Sequence, residues 1–111
     1  MPRWKSYAAS SGYNYQYQFA SHQVIADADE YRFDVKEGRS RTFEIAIVIP
    51  KESVAAWEAL EERNLESTWR YAVAKMALFR AFDDAAIPEK ISATVIVSIE
   101  SVREILKLLD I

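Results

Sequence analysis

Aromatic and amide side chains alternate over Tyr13-Asn14-Tyr15-Gln16-Tyr17-Gln18-Phe19. A period of two with β-favouring residues on one side predicts a strand with a polar outer face. A polar stretch, Asp27-Ala28-Asp29-Glu30, separates it from a second alternation, in which Tyr31, Phe33 and Val35 interleave with Arg32, Asp34 and Lys36. Glu37-Gly38 marks a turn. Phe43, Ile45, Ile47 and Ile49 then give the strongest alternation in the chain. Their opposite side passes from Arg41 and Glu44 to Ala46 and Val48, which predicts a central strand covered on both faces at its C-terminal end.

Pro50 ends that strand and suits the first turn of a helix. Val54, Trp57 and Leu60 follow at helical spacing, to about Arg63. Asn64 is the expected N-cap of a longer helix ending near Ala85. On that helix Leu65, Trp69, Ala72, Val73, Met76 and Phe79 share one face, and Tyr71, Ala74, Leu78, Ala81 and Phe82 form a second, roughly opposite one. A helix apolar on two sides needs two covers. Ile91, Ala93, Val95, Val97 and Ile99 predict a fourth strand, and Ser101 with Glu104 has the spacing of a capping box opening a last helix.

The expected fold is therefore α+β: one domain over residues 13–111, in the order β-β-β-α-α-β-α, with a mostly antiparallel four-stranded sheet packed against three helices. Residues 1–12 lack periodicity and end in Ser10-Ser11-Gly12, the expectation for a flexible leader. With 111 residues there is chain enough for one core.

Charge adds little. Residues 1–50 balance, and the net charge of −3 comes from the second half, concentrated in Glu52, Glu58, Glu61, Glu62 and Glu66. The absence of cysteine excludes disulfide scaffolds, thiol chemistry and Cys-based zinc sites, and suits a reducing compartment. No apolar stretch at the N-terminus has the length of a signal peptide, and Ile45–Ile49 is too short to cross a bilayer, so a cytoplasmic, non-membrane protein is expected.

Candidate chemistry is sparse. With Gly12 and Gly38 as the only glycines, neither the Walker pattern nor the dinucleotide fingerprint can be written. His22 is the single imidazole; its neighbour Ser21 would point to the other side of a strand, and no Gly-x-Ser-x-Gly elbow is present. Asp27, Asp29 and Glu30 begin like a calcium loop, but its sixth and twelfth positions fall on Arg32 and Gly38, where Gly and Glu are required. The glutamates of residues 58–66 have no histidine to complete a di-iron set and read as a solvated face, with Glu66 placed to pair with Arg70. Asp83-Asp84 opposes the dipole at a helix C-terminus, a position that asks for Arg80 or Lys90 as a partner. No catalytic residue, cofactor or metal is expected.

Two surfaces remain. Apolar residues of the long helix, Trp69, Tyr71, Val73, Met76, Leu78, Phe79 and Phe82, exceed the obvious needs of one small core. They point to a non-enzymatic interaction or assembly module whose partner is a second copy of the chain or another protein. The first strand, if it lies at an edge, would offer backbone groups to that partner. The second surface is basic: Arg32, Lys36, Arg39 and Arg41 lie among Tyr31, Phe33 and Phe43, the ingredients of single-stranded nucleic-acid binding. Alternation separates the aromatics from Arg32 and Arg41, and Asp34, Glu37 and Glu44 dilute the charge, so this reading stands third. Ahead of it stands a small-molecule-binding or catalytic domain with an aromatic pocket between sheet and helices.

Overall fold

A computed structural model describes residues 3–39 and 41–111. The order is β1 (Lys5–Ala8), β2 (Asn14–Ile25), β3 (Ala28–Glu37), β4 (Arg41–Pro50), α1 (Lys51–Glu61), α2 (Ser67–Asp84), a single 3-10 turn (Pro88–Lys90), β5 (Thr94–Ile96) and α3 (Ile99–Leu108). The strands form one sheet in sequence order, antiparallel from β1 to β4, with β5 parallel to β4. The α+β class, the mostly antiparallel sheet and the three helices follow the sequence pattern. The sheet has five strands rather than four.

The extra strand lies in the segment read as a leader. Lys5–Ala8 pair with Asn14–Tyr17, and the chain reverses through Gly12 at φ +101°, a left-handed conformation that glycine adopts without strain. Residues 1 and 2 of that segment lie outside the described residues. β1 covers Asn14–Tyr17 of β2, so that part is interior, while β2 from Gln18 to Ile25 extends past β1 and forms a sheet edge.

Strands β2 and β3 are also longer than their alternation suggests. A bulge between Phe19 and Ser21 shifts the register, so Tyr15, Tyr17 and Phe19 share a face with His22 and Val24 beyond it. That inserted residue hides the continuation of the strand from a period-two reading. The polar stretch collapses to a two-residue turn, Ala26-Asp27, with Ala26 at φ 51°.

The three helices cover one face of the sheet. Tyr15, Phe33, Val35, Ile45, Ile47 and Ile49 from the strands meet Val73, Leu78 and Phe82 of α2 and Val102, Ile105 and Leu106 of α3 in one buried core. The opposite face bears no second layer among the described residues: Asn14, Gln16, Glu44 and Thr94 are exposed along it. The C-terminal end of β4 is therefore covered on one face only. Ala46 is buried between its register neighbours Arg32 and Thr94, and Val48, between Glu30 and Ile96, is half-buried.

Helix boundaries differ from the pattern where a side chain found another use. The N-cap of α2 is Glu66 rather than Asn64, and Glu58 Oε2 accepts from the Leu65 amide at 2.7 Å to hold the connection. Ser98, not Ser101, caps α3, accepting from the Ser101 amide at 3.2 Å. Starting the helix three residues earlier removes Ser98 and Ile99 from the fourth predicted strand. Bends at Ile91 and Ala93 shorten its other end, leaving Thr94–Ile96.

Candidate protein-interaction site

The long helix has one buried stripe, not two faces. Val73, Ala74, Ala77, Leu78 and Phe82 form it at i, i+4 spacing. Val73, Leu78 and Phe82 have no exposed surface and belong to the chain's own core, so no partner can reach them. Tyr71, Met76 and Phe79 are half-buried at the flanks, and Trp69 alone of the seven expected interface residues is exposed, at 37%. The aromatic surplus is absorbed within the chain. Tyr15 stacks on Phe82 and Tyr7 on Phe79, each pair with centroids 4.2 Å apart, while Tyr71 packs among Phe19, Tyr31 and Phe33.

Two of the four residues of the basic cluster, Arg32 and Arg41, are paired with carboxylates. Arg32 bonds Glu44 and Glu30, whose carboxylates hold its guanidinium above the ordinary value. Arg41 reaches Glu89 at 2.9 Å and Glu37 at 3.4 Å. The carboxyl of Glu89 is lowered first by its own backbone amide and then by Arg41. Lys36 Nζ sits 4.1 Å from the centroid of the Trp4 ring. Arg39 is exposed in the β3–β4 turn.

The remaining candidates have structural roles. His22 stacks on Tyr31 at 4.3 Å, and its Nε2 lies 2.9 Å from Asp29 Oδ1; Ser21 is paired with Arg32 on the other side of the sheet. Asp29 also faces Arg70 at 3.9 Å, so Arg70 answers this strand carboxylate rather than Glu66. No cluster of three metal-ligating side chains occurs among the described residues. Asp83 accepts from the Tyr7 hydroxyl and the Ser10 amide, not from Arg80 or Lys90.

Two stretches of sheet edge remain free: Gln18–Ile25 of β2, beyond the reach of β1, and the outer side of β5 at the far end of the sheet. Residues 93, 95 and 97 direct their backbone groups toward β4: the Ala46 amide donates to the Ala93 carbonyl at 2.9 Å and the Val97 amide to the Val48 carbonyl at 2.8 Å. Alternation then points the amides and carbonyls of Thr94 and Ile96 outward along an edge with no neighbouring strand. Ile96 is 69% exposed. Beside this edge, between the C-terminal half of α2 and the start of α3, runs a groove of about 630 Å³. Its lining is small or aliphatic (Ala77, Ala81, Ala85, Ile91, Val95 and Ile105 among others), with Arg80, Asp84, Lys90, Ser92 and Ser101 as its polar positions. Arg80 reaches Glu104 of α3 at 3.4 Å.

The two sheet edges are unlike. Natural edges are commonly guarded by charge, proline or brevity. At the β1 edge stands Lys5; Ile91–Ile99 contains neither charge nor proline, and the β5 edge is limited instead by its three-residue length. The sequence signal for this site was that nine-residue uncharged run. The pattern alone predicts an ordinary strand there, because it gives no strand order. No aromatic pocket opens between sheet and helices among the described residues; that space is the core.

No helix among the described residues is long and apolar enough to cross a membrane. Comparison with models of protein families, with curated proteins and with solved structures finds no match to this chain.

Proposed function

We propose that the protein is a non-enzymatic interaction module that adds an extended segment to its sheet at β5. The supporting observation is the free, uncharged outer edge of Thr94–Ile96 lying directly beside the α2–α3 groove. Strand addition draws affinity from main-chain hydrogen bonds and selectivity from alternate side chains entering an adjacent pocket. Here Thr94 and Ile96 supply the backbone groups and the groove receives the side chains on the helix side. The expected α2 interface gives way to this edge because the apolar stripe of α2 is spent on the core.

A photo-reactive side chain placed at Ile96, with a second placed at Gln16 on the uncovered sheet face, tests the reading in cells. Adducts from position 96 and none from position 16 are expected. Adducts only from position 16, or none from either, would overturn it.

A further inference from the structure

We infer that the chain dimerises with a second copy of itself along the other free edge, residues 18–25 of β2, the two strands antiparallel about a two-fold axis near His22. The inference does not depend on β5. β1 pairs only with residues 14–17, so the rest of β2 lies open. The outward backbone groups follow from the far side of the sheet. Ala46 and Val48 of β4 bond toward β5, so Arg32, opposite Ala46, bonds toward Ser21 of β2. Beyond the bulge, His22 and Val24 therefore turn their amides and carbonyls to the open side. The same stretch leaves apolar surface uncovered, with Phe19 at 44% and Val24 at 71% exposure. A second β2 laid against it runs in the direction of β1 and takes up the row that β1 leaves at Lys5.

Charge identifies a second copy as the occupant, because the two ends of this edge carry opposite signs. At the β1 end Lys5 stands opposite Tyr17, and Lys75 of α2 lies over the same ring, its Nζ 6.0 Å from the centroid. Burial, and then Lys5, hold the Lys75 ammonium below its ordinary value. α2 runs opposite to β2, with Phe82 on Tyr15 and Tyr71 on Phe19, so its start lies toward the other end. There Glu66 precedes α2 and Asp27 sits in the turn after Ile25, both exposed. Among the described residues none of these four side chains forms an ion pair. A two-fold axis at the middle of the strand sets each end against the opposite end of the other copy. Lys5 and Lys75 of one copy then face Asp27 and Glu66 of the other, twice over. A strand of one sign would be attracted at one end and repelled at the other, and an uncharged one would answer neither. The joined sheet keeps both β5 edges at its outer ends.

Light scattering over a wide concentration range tests this. The parent mass is expected to rise from 12.8 kDa toward twice that value. Val24→Lys places a charge on an exposed edge position and is expected to remain at one chain. Lys5→Glu and Asp27→Lys, both at exposed positions, should each weaken the dimer about tenfold, since every such pair occurs twice. The chain carrying both changes should recover most of that loss, because the reversed charges again face each other. A parent mass that stays at one chain at every concentration would overturn the dimer and leave docking at β5 as it stands. A dimer that Val24→Lys does not weaken would overturn its place on β2. A double variant no tighter than the single ones would overturn the opposed charges, and with them the choice of a second copy.

Discussion

The Tyr7 hydroxyl donates to Asp83 Oδ2 at 2.7 Å, joining residues 76 positions apart. The second oxygen of the same carboxylate accepts from the Ser10 amide at 2.9 Å, and the Tyr7 ring lies flat on Phe79 one turn earlier in α2. One acidic side chain at the end of α2 therefore fastens β1 and its turn to the helix. This explains why Asp83 is tolerated where the helix dipole disfavours it. Hydrogen bonds to a charged group contribute about 1.5–3 kcal/mol when desolvated and less at a half-buried site. Tyr7→Phe should cost about 1–2 kcal/mol in urea unfolding, and Asp83→Ala at least as much, because it frees two donors. Variants as stable as the parent would show the link to be idle.

The same link sets a response to alkali. The Tyr7 phenol is pushed up to about 12, first by its hydrogen bond to Asp83 and then by burial; burial pushes Tyr31 to about 12 as well. An unfolded tyrosine titrates near 10. Below pH 10 both states hold these protons, and the stabilisation is fully present. Between about 10 and 12 the unfolded chain releases protons that the folded chain keeps, so stability falls as pH rises. Urea midpoints taken from pH 9 to 12 should decline, and less steeply in Tyr7→Phe. An unchanged slope in that variant would contradict the assignment.

Burial divides the α2 residues in a way that stability can read. Leu78 is fully buried between sheet and helices, and Leu78→Ala should cost about 2–5 kcal/mol by leaving a cavity. Trp69, larger but exposed over a third of its surface, should cost less on truncation to Ala. Chemical denaturation with unchanged m-values is the measurement. The reverse order would mean that Trp69, not Leu78, anchors the helix.

Ala26 holds φ 51° in the two-residue turn between β2 and β3. That conformation costs a residue with a Cβ about 1–2 kcal/mol. Ala26→Gly relieves it, at about 0.4–1 kcal/mol of added unfolded-state entropy. The glycine variant should be neutral to slightly stabilised, while Ala26→Val, β-branched at the same φ, should lose more than about 1 kcal/mol. A valine variant as stable as the glycine one would place the strain elsewhere.

Particular elements show what the sequence could carry. The alternation of Phe43–Ile49 located β4 and its inward residues, and Tyr31, Phe33 and Val35 located β3, because strict period two survives wherever one face is buried. β1 was invisible: four residues with Lys5 and Tyr7 inward make no pattern, and the strand is held by Asp83, far away in the chain. The end of β2 was lost to the bulge after Phe19, which reverses the pattern midway. The long helix misled in another way. Counting its aromatics as surplus ignored the rings of Tyr7, Tyr15 and Phe19 that cross the interior to meet them. The free edge at β5 could not be read, because whether Ile91–Ile99 lies inside or at the margin of the sheet is decided by strand order.

Photo-crosslinking in cells from position 96, in the parent and in a chain that also carries Thr94→Lys, tests the role of β5 most directly. Lysine at an exposed edge position guards it without touching the core. The expected result is adducts from position 96 in the parent that fall severalfold in the lysine variant, whose thermal stability is unchanged. Adducts undiminished by the lysine would contradict docking at β5.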